Sequence, residues 1–471
     1  MNDIDLSPEE FRRLGYHAVD LITQRLQNIR ENPVRQPVPP ELREAWMHQD
    51  FPENGVYDLE ALLNTVAEKI MDYPMGNSSP RFFGWVNSPP APLGILAELF
   101  AAAHGASVAG GDQSATYVEH GVLNWFKRIL GFPQEAGGIL TSGGSAANLI
   151  GLAVMRYVKS EGAIRQQGFN AESAPMVIYA ADQGHSSIQK AVELLGFGND
   201  YFRKIPTNHD YQMDIDMLRQ QIAADKAAGL RPVCIAGSAG TVNTGTIDPL
   251  EKIADICDSE NLWMHIDGAY GAVGILAEPH LYAGLERVDS LAVDPHKWLY
   301  MPIECGCALV RDSKAMRDTF SLVPEYLRDD TMLPWFAEFG IQQTRGFRAL
   351  KLWMVLHQIG ENGYRELIRR DIALAKQLRA KIEARDDFEL IAAGALSIVC
   401  FRYAPPGVDD LDALNKSLLE DVQASGRAFL TSTVLDGRYV LRACLVNFRT
   451  TESDLDILLD VITDAGKTRR S

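Results

Sequence analysis

The sequence predicts an α/β protein in which a mostly parallel sheet is flanked by helices, with an N-terminal helical arm before it and a small α+β domain after it. Three observations predict this. From about Gly138, short apolar runs (GGILTSG, PMVIYAA, RPVCIAGSAGT, LWMHIDGAY, SLAVDPHKW and CGCALVRD) alternate with amphipathic stretches such as SAANLIGLAVMRYV and DPLEKIADICDSE. Strands separated by helices imply right-handed crossovers and a largely parallel sheet covered on both faces. To about Tyr73 the chain reads as helices, broken by a proline-rich stretch. After about Val355 a long charged helix, roughly Asn362 to Ala384, leads into ALSIVCFRY and RYVLRACLV.

The elements follow in chain order. Ser7-Pro8-Glu9-Glu10 is a helix start with proline at the first helical position. Phe11, Leu14, Ala18, Leu21 and Ile22 then recur at helical spacing until the proline-rich stretch Pro33 to Pro40. Such an arm has no core of its own and is expected to pack on another domain or subunit. A length of 471 residues calls for more than one core, and the expected division is an arm over 1–80, a large domain over 81–355 and a small one over 356–471.

Composition narrows the function classes. Apolar residues make up 46% and charged residues 23%, the balance of a globular chain. A net charge of −17 with no basic face argues against nucleic acid. The N-terminus lacks a basic region followed by an apolar one, and no apolar run approaches the roughly 20 residues that span a bilayer. No membrane association is therefore expected. The six cysteines fall in apolar stretches without zinc-ligand spacing, so buried reduced thiols in a cytoplasmic enzyme are expected, and no metal.

In a sheet of this kind ligands sit at the carboxyl ends of the strands, and four strand ends carry polar residues. Gly143, Gly144 and Ser145 follow LeuThrSer and open a helix, a turn whose free N–H groups and helix dipole suit a phosphate. Small-residue turns of this kind are also common without any ligand. His185 follows PMVIYAA, where an imidazole can stack on a ring, move a proton, or simply cap a helix. Asp267 ends an apolar strand and needs a partner; a protonated pyridine nitrogen would be one, with Ala269 small enough to lie beneath a ring. Asp294-Pro295-His296-Lys297-Trp298 puts a lysine among residues that are odd for a solvated turn, and partial withdrawal from water makes such an amine a usable nucleophile. Together they read as phosphate cradle, stacking ring, acid for a ring nitrogen, and carbonyl-binding lysine.

At these residues the sequence resembles the group II pyridoxal-5′-phosphate (PLP) dependent decarboxylases. The resemblance also takes in Glu10 to Gly15, Ser79-Pro80-Arg81-Phe82-Phe83-Gly84, His185-Ser186-Ser187 and Arg345 to Lys351. It implies PLP fold type I, with a mostly parallel seven-stranded sheet, and a homodimer with active sites at the subunit interface. It further implies that Lys297 forms a Schiff base with PLP, Asp267 pairs with the pyridine nitrogen and His185 stacks on the ring. Gly144, Ser145 and Asp294 resemble phosphate-side contacts, joined on the cofactor side by Gly143, Ala269 and His296. The position of a family threonine is held by Val242, so Thr241 or Asn243 is expected in its place. The segment Phe83 to Pro90, with Trp85, Ser88 and Pro89, resembles the substrate-side wall.

The expected reaction is decarboxylation of an L-amino acid, most simply an aromatic one, to the amine and carbon dioxide. Many family members carry a proton-donating tyrosine on a loop after the lysine; counting back from Arg345 without gaps puts Phe336 there, with Tyr326 upstream as another donor. A loop phenylalanine raises the alternative of an aldehyde-forming, oxygen-consuming relative. Decarboxylation of acidic amino acids is a further alternative, as is a fold-type-I aminotransferase, for which Arg442 is the candidate carboxylate clamp.

Overall fold

The computed structural model describes residues 4–55, 58–322 and 333–469. Helix α1 (Pro8–Gln27) starts as its sequence dictates: Ser7 caps it by accepting the N–H of Glu10 at 3.1 Å, and Pro8 opens the first turn. Helices α2 (Pro40–Met47) and α3 (Leu59–Thr65) complete the arm. Of all α1, Leu14 alone is buried, and Phe11, Tyr16 and Val19 stand exposed.

Helices α4 (Pro92–His104) and α5 (Ser114–Ile129) lead into the main sheet. Its strands are β1 (Gly137–Thr141), β2 (Met176–Ala181), β3 (Phe202–Ile205), β4 (Arg231–Ser238), β5 (Trp263–Asp267), β6 (Ser290–Val293) and β7 (Gly306–Val310). They lie in the order β1-β7-β6-β5-β4-β2-β3, with β7 antiparallel to both neighbours and the other pairings parallel. The intervening helices are α6 (Gly144–Lys159), α7 (Ile164–Gln167), α8 (Ser186–Leu194), α9 (Ile215–Ala227), α10 (Leu250–Glu260) and α11 (Ser313–Phe320). Helix α6 packs on β5, β6 and β7, while α9 and α10 pack on β4.

Helix α12 runs from Arg348 to Glu383, beginning before the expected Asn362 because Gly360, at φ 68°, joins two helical stretches. Beyond it β8 (Phe388–Ala393), β9 (Ile398–Tyr403), β10 (Thr431–Leu435) and β11 (Arg438–Cys444) form an antiparallel sheet in the order β10-β11-β9-β8. Helices α13 (Leu411–Ala424) and α14 (Glu452–Thr468) cover it over a second apolar core. Three strands are only partly buried. Edge strand β3 reads Phe-Arg-Lys-Ile, and β8 and β10 are half solvated. All six cysteines are buried and unpaired.

Candidate active site

Each functional strand end meets at one cavity of about 360 Å³, within the range of small-ligand clefts. Its lining includes Gly143, Gly144, Ser145, His185, Thr241, Asp267, Ala269, Asp294, His296 and Lys297. Lys297 and Asp267, from the ends of β6 and β5, therefore share one cleft.

The lysine turn is held from several sides. The Lys297 N–H bonds the carbonyl of Asp294 at 2.8 Å, and Ser88 Oγ donates to the His296 carbonyl at 3.1 Å. Below the turn, Trp298 and Tyr300 donate to Asp371 Oδ2 at 2.9 and 2.7 Å, and Tyr270 stacks on Trp298 with centroids 5.1 Å apart. Lys297 Nζ lies 3.2 Å from Asp294 Oδ2, and its side chain keeps 21% of its exposure. The ammonium thus has one anionic partner and an open path to the cleft. His296 Nδ1 is tied to Cys305, and burial lowers its pKa.

Across the cleft, Asp267 Oδ1 accepts the Ala269 N–H at 3.1 Å, and Oδ2 accepts from Asn148 Nδ2 at 3.0 Å. His185 caps α8: its Nδ1 accepts the Ser187 N–H at 3.2 Å and lies 2.8 Å from Ser187 Oγ. The capping and ring-facing readings of His185 are compatible, because Nδ1 does the capping and the ring still lines the cavity.

The cradle fits a phosphate-bearing group. Helix α6 begins at Gly144 without a side-chain cap, so its first-turn N–H groups have no intrahelical partner. A Cβ on Gly144 would lie 2.9 Å from both the Ala269 Cβ and Asp294 Oδ2, filling the cradle. Asp294 Oδ1 is buried without a partner; as an anion it calls for a hydrogen-bond donor between itself and a phosphate.

Five expected residues lie elsewhere. Asn243 turns away: its Nδ2 donates to Gln183 and its carbonyl accepts from Arg442 at 3.1 Å. Trp85 is 46% exposed among Phe82 and Phe429, outside the cavity lining. Ser88 and Pro89 are buried behind the lysine turn. Phe336 is buried against Arg345 and His120, because a ring in that sequence gains more from the core than from water. Tyr326 lies outside the described residues. Thr241 lines the cleft, though its hydroxyl is engaged by Thr244. Arg442 donates from Nε and Nη1 to the carbonyls of Asn243 and Trp85, its Nη2 is buried without a partner, and it is outside the cavity lining.

Sequence reasoning passed over Asn148, Ser187, Ser238 and Glu304, all in the lining. Asn148 had a signal: it is a polar residue inside the apolar face of α6.

The family model described as the pyridoxal-dependent decarboxylase conserved domain matches residues 40–404. An aromatic-L-amino-acid decarboxylase of Bacillus atrophaeus is 35% identical over 473 residues, covering 98% of this chain and 96% of its own. A phenylacetaldehyde synthase of Petunia hybrida is 32% identical over 462 residues, covering 93% and 90%. The crystal structure of Oryza sativa TDC with PLP and tryptamine matches with a TM-score of 0.92 at 27% identity, covering 100% of both chains.

Proposed function

The chain belongs to the pyridoxal-dependent decarboxylase family, and from that premise we propose that it removes the carboxylate of an aromatic L-amino acid, giving the amine and carbon dioxide. The single observation carrying this reading is the convergence of Lys297 and Asp267 on one cleft. The aromatic class rests on the relatives named for such substrates and for their aldehydes.

PLP, when bound, supplies an electron-accepting ring into which the Cα–carboxylate bond can break. Lys297 Nζ would hold it covalently, and Asp294 Oδ2, 3.2 Å away, is the ion-pair partner of that nitrogen. The first turn of α6, with Gly143, Gly144 and Ser145, would hold the phosphate. Asp267 faces only N–H donors and would sit opposite the ring nitrogen. Ala269 would lie on one side of the ring and His185 on the other. The Nδ1 of His185 is occupied by Ser187, so Nε2 is the atom left to hold a proton on the exposed side of the cleft.

The same reading takes the chain as a homodimer in the cytoplasm, organised as arm 1–80, cofactor domain 81–355 and small domain 356–471. Support for the dimer is the apolar surface left on α1 and on α4, where Leu96, Leu99 and Phe100 are exposed, with Ile303 beside the cleft residue Glu304. The unpaired thiols agree with a reducing compartment. Sedimentation should give twice the chain mass, and Phe100→Glu should shift it toward one.

The test is to incubate the purified enzyme with each amino acid and to measure carbon dioxide, amine, aldehyde and peroxide together. Carbon dioxide matched by amine, from aromatic substrates, supports the proposal. Peroxide matching carbon dioxide one for one would replace it with aldehyde formation, and glutamate from 2-oxoglutarate without carbon dioxide would replace it with transamination.

A further inference from the structure

Behind Asp267 lies a continuous buried polar chain. Trp263, His265 and Asp267 alternate along β5 and so share one face of it, the face covered by α6. Ser290 pairs with His265 across β5 and β6. Trp263 Nε1 donates to Ser290 Oγ at 2.8 Å, and Ser290 Oγ lies 2.8 Å from His265 Nδ1. His265 Nε2 lies 2.9 Å from Asn148 Oδ1. Asn148 Nδ2 reaches Asp267 Oδ2 at 3.0 Å and Ser187 Oγ at 2.9 Å, and Ser187 Oγ reaches His185 Nδ1 at 2.8 Å. Asn148, His265 and Ser290 are 0% exposed. One turn beyond Asn148, Gly151 makes the room: a Cβ there would lie 2.8 Å from the His265 ring.

The direction of the hydrogens follows from the Asp267 end of the chain. Asn148 Nδ2 gives its two N–H bonds to Asp267 Oδ2 and Ser187 Oγ, so Asn148 Oδ1, an acceptor only, takes the hydrogen of His265 Nε2. A neutral His265 then has a bare Nδ1, to which Ser290 Oγ, itself accepting from Trp263, gives its hydrogen. The Ser187 N–H donates to His185 Nδ1, so that nitrogen is bare as well, and Ser187 Oγ, accepting from Asn148, gives its hydrogen to it. Burial drives the His265 pKa down to about 4, in keeping with a neutral ring.

We propose that Asn148 and His265 are positioning residues. One directed hydrogen-bond chain, started at Trp263, fixes the Asp267 carboxylate toward the ring nitrogen of the cofactor and sets the Nε2–H tautomer of His185. The proposal rests on the reading that Asp267 faces that nitrogen. It goes beyond that reading by making the two sides of the cofactor depend on a single buried amide.

The test uses full-length protein labelled with 15N-histidine, ten residues in all, without cofactor. At pH 7, His265 should show hydrogen on Nε2 and a bare Nδ1, and His185 the same. Asn148→Leu should weaken PLP binding about tenfold or more, since a buried carboxylate loses a donor, and should disturb both histidine signals. Ser187→Ala removes only the His185 arm: the His185 signal should move while the His265 signal stays where it is in the wild type. Hydrogen on Nδ1 of His265 in the wild-type protein would overturn the proposal even if no variant folds. So would a folded Asn148→Leu protein that binds PLP as the wild type does. A wild-type enzyme that binds PLP yet releases no carbon dioxide would instead remove the proposed function, leaving the histidine and affinity readouts intact.

Discussion

Asp267 drew attention because it ends an apolar strand with a charge that needs company, and Lys297 because it follows one among Pro295, His296 and Trp298; the reading came from the residues taken together. The structure gives Asp267 two N–H donors and Lys297 one carboxylate, so each is held without being neutralised from the cleft side. Asp267→Asn keeps the shape and loses the charge. Turnover should fall on the order of 10²–10³-fold, the scale seen when one preorganised electrostatic partner is removed, while PLP remains bound. Steady-state rates beside PLP titration check this. What single residues did not disclose was orientation. Asn243 and Phe336 lie close in sequence to the right places, yet one turns toward Gln183 and the other into the core. Thr241 and Val242 line the cleft and Asn243 does not, because the chain turns at this point.

At the scale of elements, the cradle depends on how β1 is anchored before it delivers Gly143 and Gly144. Glu119 on α5 accepts the Leu140 N–H at 3.0 Å, and Arg345 donates to the Leu140 carbonyl at 2.6 Å and to the Val108 carbonyl at 2.8 Å. Glu119 and Arg345 also pair with each other, both wholly buried. Arg345→Met leaves a buried carboxylate without its cation and should cost about 3–5 kcal/mol of stability, read from denaturant unfolding. A change below 1 kcal/mol would contradict this role. The strand-helix alternation was readable because buried parallel strands are nearly continuous apolar runs. Strand β3 was not, since two of its four residues are charged at the sheet edge.

For the whole molecule, stability should carry the mark of a buried acid behind the lysine turn. Asp371 on α12 anchors Trp298 and Tyr300, and burial pushes its pKa from 3.8 to about 7. The folded chain then keeps a proton that the unfolded chain releases between about pH 4 and 7. Stability therefore falls as pH rises through that window, by at most about 1.4 kcal/mol per pH unit from this group. Asp248, raised to about 6 by burial, adds in the same direction. Asp371→Asn should flatten the fall, as measured by denaturant midpoints from pH 4.5 to 8; an unchanged slope would contradict it. The two cores and the cleft beside Lys297 make one assembly, and Trp298 links them by reaching from the lysine turn to the long helix.

The most direct measurement is borohydride reduction of the PLP-loaded protein followed by peptide mass spectrometry. The expected result is a single phosphopyridoxyl mass on the peptide containing Lys297, absent from Lys297→Ala. A stable adduct on another lysine, or none on a protein that still releases carbon dioxide, would contradict the assignment of this cleft.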